Sequence, residues 1–420
     1  MVSNKRISIV GLGYVGLPLA TAFAKKYKVI GYDVDKSRIK ELKKGKDRTK
    51  EIMQVELLKN KNLIFTNDFY DMKNSDFFIL TVPTPITKNN KPDLSIIRKA
   101  ALTIAKVMEN GATVILESTV YPGITEDYLV PILEKNTKLK HKKNFFVAYS
   151  PERINPGETK YKLTNIKKIV GADSKSTLSK VSRIYKDIIK AGIYKVSSIK
   201  IAEASKAIEN AQRDINIAFV NEVMMLAKAL NIDSHEVLEA AKTKWNFLNF
   251  QPGLVGGHCI GVDPYYLAEA GKKVNFNTKI ILAGRHLNDS IPNFLVKNIY
   301  KKLKKGSRIL LLGLSFKENV GDIRNSKSIE LVKKLKNKKF VIDCFDPRVD
   351  PEELKREYNL KINKPKGKYH CIILAVAHKE FKKMNTEEIL SLARKNCYII
   401  DIKSVWNKKI SSKLKDYWCL

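Results

Sequence analysis

No C-x-x-C pair occurs anywhere in the chain, and its five cysteines, Cys259, Cys344, Cys371, Cys397 and Cys419, are scattered. That argues against a disulfide framework and against a zinc knuckle, so no metal site is expected. No apolar run approaches the roughly 20 residues needed to cross a bilayer. No charged segment followed by an apolar one opens the chain, so no signal peptide is expected either, and a cytoplasmic protein is the expectation. Acidic residues are scarce beside basic ones: 43 Asp and Glu stand against 78 Lys and Arg, for a net charge of +35. Such a surplus ordinarily raises the prospect of nucleic-acid binding. Here the lysines are dispersed in stretches such as "KELKKGK" and "KKLKNKK", with no arginine-rich arm and no aromatic-interleaved stripe. The charge is therefore read as solvated surface with a preference for small anionic ligands, and neither nucleic acid nor membrane is expected as a partner.

What is present is a globular composition, 44% apolar and 9% aromatic, in 420 residues that can hold two or three domains. Strand-like runs alternate with helical ones: "KRISIV", a helix through "VGLPLATAFAKK", "KVIGYD", then "DFFILTV", "ATVILEST", "NFFVAYS", "IKKIVGAD" and "AGIYKVS". This alternation predicts an α/β fold with a parallel sheet. From Ile201 to Leu230 the spacing changes to that of one long helix, with apolar residues at Ile208, Ala211, Ile215, Phe219, Met224 and Ala227. Near residue 306 the strand–helix pattern restarts in "GSRILLLG".

"GLGYVG" places Gly11, Gly13 and Gly16 between a strand and a helix, the context a dinucleotide-binding turn needs. Gly11 permits the tight turn, Gly13 lets backbone approach a pyrophosphate, and Gly16 lets helix and strand pack closely. Asp33 ends the next strand, where a carboxylate accepts ribose hydroxyls and repels a 2′-phosphate, favouring NAD over NADP. The expected architecture is thus two Rossmann-like, doubly wound α/β domains joined by a long central helix and a helical middle domain. The expected segments are 1–198 for NAD binding, 199–300 for the helical middle and 301–420 for the second α/β domain.

Three further stretches carry chemistry. "ESTVYPG" sets Thr119 at the carboxyl end of a strand, and "SPERINPGE" sets Glu152 similarly, as a general base or a solvated loop carboxylate. "KAIENAQRD" puts Lys206, Asn210 and Arg213 on one helix face, where they could hold an oxyanion or phosphate or simply form a charged solvent face. "GLVGGHCIGVDPYYL" places Cys259 after Gly256 and Gly257, beside His258 and four residues before Asp263. Too few ligands gather there for structural zinc, and an inert thiol would suit a strand or helix better. A nucleophile fits best: the glycines admit substrate, and a lysine such as Lys206 could lower the thiol pKa.

These pieces, in this order, resemble the UDP-glucose/GDP-mannose dehydrogenase family, and the match extends through "TVPTP" and "FKENVGDIRNS" to cover nearly the whole chain. "SPERINPGE", "KWNFLNFQPGLVGGHCIGVDPYYL" and "LAGRHLNDS" look most like the members that act on UDP-N-acetylhexosamines in surface-polysaccharide pathways. The resemblance implies an oxidation of the sugar C6 alcohol to a carboxylate with two NAD⁺. UDP-N-acetylglucosamine is the first expectation, its galacto or manno epimer the next, and UDP-glucose or GDP-mannose the alternative. It also implies that Cys259 holds the aldehyde as a thiohemiacetal and then the acid as a thioester. Thr119, Asp263 and Lys206 would hold the water that takes the hydroxyl proton, Glu152 would activate the hydrolytic water, and Lys206 with Asn210 would steady the oxyanion. The implied cofactor contacts are Gly11, Gly13, Tyr14, Val15, Gly16, Asp33, Thr84, Ser118, Thr119 and Arg324. The implied substrate contacts are Glu152, Arg153, Lys206, Asn210, Arg213, Phe250, Gly256, His258 and Lys317, with a homodimer or larger homo-oligomer built on the central helix. Two departures bear on the sugar: Arg153-Ile154 replaces the Phe-Leu of UDP-glucose enzymes, and His258 replaces a small serine. Both favour a 2-acetamido sugar through that likeness.

Overall fold

The structure, a computed structural model, describes residues 3–49, 51–87, 89–154, 161–257, 260–406, 410 and 416–420. The chain divides into two compact units, Met1–Glu209 with Tyr265–Phe276, and Asn210–Pro264 with Asn277–Leu420. One helix, Ile199–Ala229, contributes to both. It has neither proline nor glycine to interrupt it, as its sequence implied.

The first unit is built on eight strands: β1 (Ser3–Val10), β2 (Tyr27–Tyr32), β3 (Leu63–Thr66), β4 (Phe77–Leu80), β5 (Thr113–Leu116), β6 (Phe146–Tyr149), β7 (Lys168–Ala172) and β8 (Ile193–Lys195). Their order is β3-β2-β1-β4-β5-β6-β7-β8. β4 and β5 are buried at every position, which is why they read as unbroken apolar runs and not as an alternation. Leu17 and Phe23 of the helix Gly16–Phe23 pack with Ile7, Ile9 and Ile79 of the sheet in one core. The order reverses direction at β1 and β4, so the loops after these two strands part and leave a crevice at their carboxyl ends.

One pair departs from the expected parallel pattern. β7 runs antiparallel to β6, with Ala148 opposite Ala172 and Tyr149 opposite Gly171. A parallel return needs a crossover, usually a helix. Between these strands the described residues hold only the short turn Leu163–Asn165. The reversal matters because β7 therefore begins at the edge where β4, β5 and β6 end.

The second unit holds a five-stranded sheet, parallel throughout: β9 (Arg308–Leu312), β10 (Val341–Phe345), β11 (Tyr369–Leu374), β12 (Ala393–Asp401) and β13 (Tyr417–Cys419), in the order β10-β9-β11-β12-β13. Alternate residues serve different cores. Ile309 and Leu311 join Met224, Ile291, Leu295 and Ile299 on one face, and Leu310 and Leu312 join Phe381 and Trp406 on the other. Two covered faces make this a doubly wound α/β unit, and the α/β class expected from the sequence is what the chain adopts. Cys344, Cys371, Cys397 and Cys419 are free and buried, and burial pushes the thiols of Cys344 and Cys397 up to about 12. Packed, unreactive sulfur is their role. Among the described residues no helix is long and apolar enough to cross a membrane, and no cluster of side chains suits a metal ion.

Candidate active site

The three glycines after β1 are there for different reasons. Gly11 sits at φ +97°, a backbone conformation that side chains rarely adopt. A Cβ on Gly16 would lie 1.8 Å from the Gly11 carbonyl oxygen and 2.5 Å from Thr81 Oγ1, so packing alone forbids it. A Cβ on Gly13 would meet no protein atom within 4 Å. Its missing side chain is not demanded by packing, and the open space beside it suits a pyrophosphate drawn up to the backbone. Tyr14 and Val15 are half-buried between them, at the start of the helix. Asp33 has both oxygens held, Oδ2 by Leu12 N–H at 2.8 Å and Oδ1 by Asp35 N–H at 2.9 Å. The carboxylate is thereby fixed at the crevice rim, and this set of residues fits NAD.

Ser118 donates to the Val82 carbonyl at 2.7 Å and so ties down the loop after β4, on which Thr84 lies half-buried. Thr119 follows, half-buried, with a hydroxyl that makes no hydrogen bond to any described residue. Glu152, two residues beyond Ser150, is 8% exposed. Its Oε1 accepts the N–H groups of Arg153 at 2.5 Å and Ile154 at 2.6 Å, and its Oε2 faces Lys168 Nζ at 3.3 Å. Arg153 itself is engaged with Glu209, 2.7 Å away.

On the long helix, Lys206 is 8% exposed and makes no hydrogen bond or ion pair with any described residue. An ammonium that deep is costly unless something anionic comes to it. One turn on, Asn210 Nδ2 donates to Asp263 Oδ2 at 2.5 Å, and Asp263 is 1% exposed in the first turn of the helix Asp263–Lys273. These two residues, 53 apart in sequence, were both singled out as chemistry-bearing, and the fold brings them together. Arg213 is exposed, so the expected stripe grades from buried to solvent-facing along the helix.

His258 and Cys259 lie outside the described residues. The glycines before them, expected to admit substrate, also meet a packing demand. A Cβ on Gly256 would lie 2.4 Å from the Asn325 carbonyl oxygen, and one on Gly257 would lie 2.6 Å from Phe316 Cδ2. They admit the loop that follows β9. That loop carries Lys317, which together with Phe316, Lys327, Lys403 and Gly256 lines a cavity of about 270 Å³. Burial lowers the pKa of Lys403, which donates to the Pro252 carbonyl at 3.0 Å. Arg324 forms a two-point pair with Asp322, its Nε 3.0 Å from Oδ1 and an Nη 2.6 Å from Oδ2. Phe250 is half-buried.

The sequence matches the UDP-glucose/GDP-mannose dehydrogenase family in all three of its parts: the NAD binding domain over residues 5–189, the central domain over 200–290 and the UDP binding domain over 310–408. The chain belongs to this family. It is an NAD-dependent nucleotide-sugar dehydrogenase. It is 47% identical over 412 residues to the UDP-N-acetyl-D-glucosamine 6-dehydrogenase of Salmonella typhi, covering 96% of this chain and 97% of that protein. To the protein of that name from Pseudomonas aeruginosa it is 46% identical over 410 residues, again covering 96% and 97%. Among solved structures, the UDP-D-ManNAc dehydrogenase of Pyrococcus horikoshii superposes with a TM-score of 0.87 at 32% identity, covering 99% of this chain and 98% of that one.

Four residues of this dehydrogenase's site region escaped sequence reading. Lys168 and Glu117 are buried against each other and against Glu152, Glu203 braces the loop beyond Thr119, and Lys403 lines the cavity. For Lys168 and Glu117 the available signal was a charged residue at the start of one apolar strand, "KIVGA", and just past the end of another, "ILEST"; Glu203 on the long helix and Lys403 beyond β12 carry no such mark.

Proposed function

We propose that this dehydrogenase oxidises the C6 alcohol of UDP-N-acetylglucosamine to the uronate, with Cys259 as the nucleophile that retains the half-oxidised sugar, in a pathway building surface polysaccharide. Bound NAD supplies the hydride acceptor for both oxidations. The protein's own residues do the rest. Lys206 and Thr119 position the water that takes the C6 hydroxyl proton, and Asp263, oriented by Asn210, shares that task. Cys259 holds the aldehyde carbon covalently, which keeps it from escaping between the two oxidations. Glu152 takes the proton from the water that cleaves the resulting thioester. The half-buried Lys317 and Lys403, which line the cavity of the second unit, face the phosphates of the nucleotide.

The observation that carries this reading is Lys206, a buried ammonium with no partner among the described residues, one turn before an amide hydrogen-bonded to a buried carboxylate. That arrangement suits an oxygen gaining negative charge. The choice of acetamido sugar is supported by relatives: the two proteins named UDP-N-acetyl-D-glucosamine 6-dehydrogenase are 46–47% identical, whereas those named UDP-N-acetyl-D-mannosamine dehydrogenase are 31–34% identical. A panel of UDP-N-acetylglucosamine, its galacto and manno epimers, UDP-glucose and GDP-mannose, read by NADH formation, tests it. The reading expects the highest kcat/KM for UDP-N-acetylglucosamine, and a higher value for any other sugar contradicts it.

A homodimer belongs to the same proposal. Phe219 and Leu226 on the long helix are 56% and 58% exposed, Leu230 just beyond it is 61% exposed, and Trp245 is 91% exposed, a set of large apolar groups that a second copy would cover. The segments 1–198, 199–300 and 301–420 then serve as NAD-binding, dimerising and UDP-sugar-binding parts.

A further inference from the structure

The antiparallel strand β7 delivers a lysine to the catalytic edge of the first sheet. Tyr149 pairs with Gly171, and carrying that register onward sets Glu152 opposite Lys168, the first residue of β7. Parallel strands bring only their carboxyl ends to this edge, so the reversal is what lets a strand's opening residue arrive there. Lys168 Nζ lies 2.6 Å from Glu117 Oε2 and 3.3 Å from Glu152 Oε2, with its side chain 3% exposed. Glu117 stands at the end of β5, fully enclosed, and its other oxygen accepts the hydroxyl of Tyr185 from the helix Lys175–Lys186.

We propose that Lys168 is a positioning residue for Glu152: its ammonium, shared between two buried carboxylates, holds the Glu152 side chain aimed for the thioester-cleaving step. The inference rests on the reading of Glu152 as the base of that step. There, water oxygen bonds to the acyl carbon, the carbon–sulfur bond breaks, sulfur leaves as thiolate, and the proton released by water passes to the Glu152 carboxylate. A carboxylate can take that proton only if it is ionised beforehand. Two enclosed carboxylates without a cation would share one proton, because neighbouring like charges out of water disfavour ionisation. Glu117 takes the shorter arm of the pair, 2.6 Å against 3.3 Å, while its other oxygen accepts from Tyr185, so the ammonium is divided between the two carboxylates. Among the described residues, further polar groups near the pair are Tyr185, Ser150, whose hydroxyl donates to the Ile169 carbonyl at 2.8 Å, and Arg153, which is engaged with Glu209 of the long helix.

The test compares pH profiles of kcat at saturating UDP-N-acetylglucosamine and NAD for the full-length protein and four variants, with intact-mass analysis during turnover. Lys168→Met should move the acidic limb up by about one pH unit or more, lower kcat about tenfold to a hundredfold, and accumulate protein carrying the sugar as an acyl adduct. KM for the sugar nucleotide should change by less than about twofold, since binding is untouched. Lys168→Arg should restore the limb. Glu117→Gln should move it the opposite way, to lower pH, because the ammonium then serves Glu152 alone, and this variant keeps the test open if Lys168→Met does not fold. Glu152→Gln should remove the limb. A Glu152→Gln enzyme with the limb and rate of the parent overturns the reading of Glu152 itself. A Glu152→Gln enzyme that loses the limb, beside Lys168→Met and Glu117→Gln profiles superimposable on the parent's, overturns only the role given to Lys168.

Discussion

Glu203 Oε1 accepts both the backbone N–H and the hydroxyl of Thr125, at 2.8 and 2.7 Å, while its other oxygen takes the Gly123 N–H at 2.5 Å. A fully enclosed carboxylate on the long helix thus braces the loop that carries Thr119, four residues from the Gly123 turn. Burial is the largest influence on this group and raises it from 4.5 to about 7, against the three hydrogen bonds that favour its ionised form. In the unfolded chain it titrates near 4.5. Between those values the folded state holds more protons than the unfolded one, so the contribution of Glu203 to stability is full below pH 4.5 and lost as pH rises through about 7. The difference is of the order of 3 kcal/mol. Urea unfolding at several pH values should show parent minus Glu203→Gln falling across this window. A flat difference would mean the carboxyl titrates at its ordinary value.

The two glycines of the dinucleotide turn should separate stability from binding. Gly16→Ala drives a methyl into the Gly11 carbonyl and Thr81, and should lower stability by about 3 kcal/mol or more. Gly13→Ala meets no protein atom, so melting should stay within about 1 °C of the parent. Its NAD affinity should fall about tenfold or more, because the methyl occupies the path of the pyrophosphate. Thermal melts and NAD titration check both, and equal loss of stability in the two variants would contradict the assignment.

Lys206 predicts an inverse relation between stability and activity. Lys206 is buried and has no partner among the described residues, so replacing it by methionine breaks no described hydrogen bond and leaves an apolar chain in a buried place. Lys206→Met should melt at or above the parent temperature and lose about a hundredfold or more in kcat. A variant that is destabilised yet active would show the lysine to be structural.

The exposed apolar face predicts an assembly. Phe219→Glu together with Leu226→Glu should convert a dimer into a monomer in sedimentation, since both side chains are more than half exposed in the single chain. A parent that sediments as a monomer at micromolar concentration would refute the dimer.

Much of this was legible in the residues, for physical reasons that also mark where legibility stopped. The glycine turn and Asp33 could be read because a local strand–turn–helix context is written in adjacent residues, and the α/β class because buried parallel strands are continuous apolar runs. Asn210 and Asp263 were each recognisable by chemical type, although only the fold could bring them to 2.5 Å. The reversal of β7 was invisible: "KKIVGAD" has the same composition whichever way the strand runs, and the direction follows from what connects it to β6. The same blindness hid Lys168, whose partners depend on that direction. Gly256 and Gly257 were seen as special, but the loop they also accommodate is about 60 residues away, and long-range packing leaves no mark on local sequence.

The central claim is that one thiol carries the sugar through two oxidations, and the most direct measurement is NADH formed per UDP-N-acetylglucosamine consumed, for the parent and for Cys259→Ser. The account predicts two NADH per sugar and a uronate product for the parent, with uronate formation abolished in the variant while NAD still binds. One NADH per sugar with free aldehyde released by the parent, or undiminished uronate from Cys259→Ser, would contradict it.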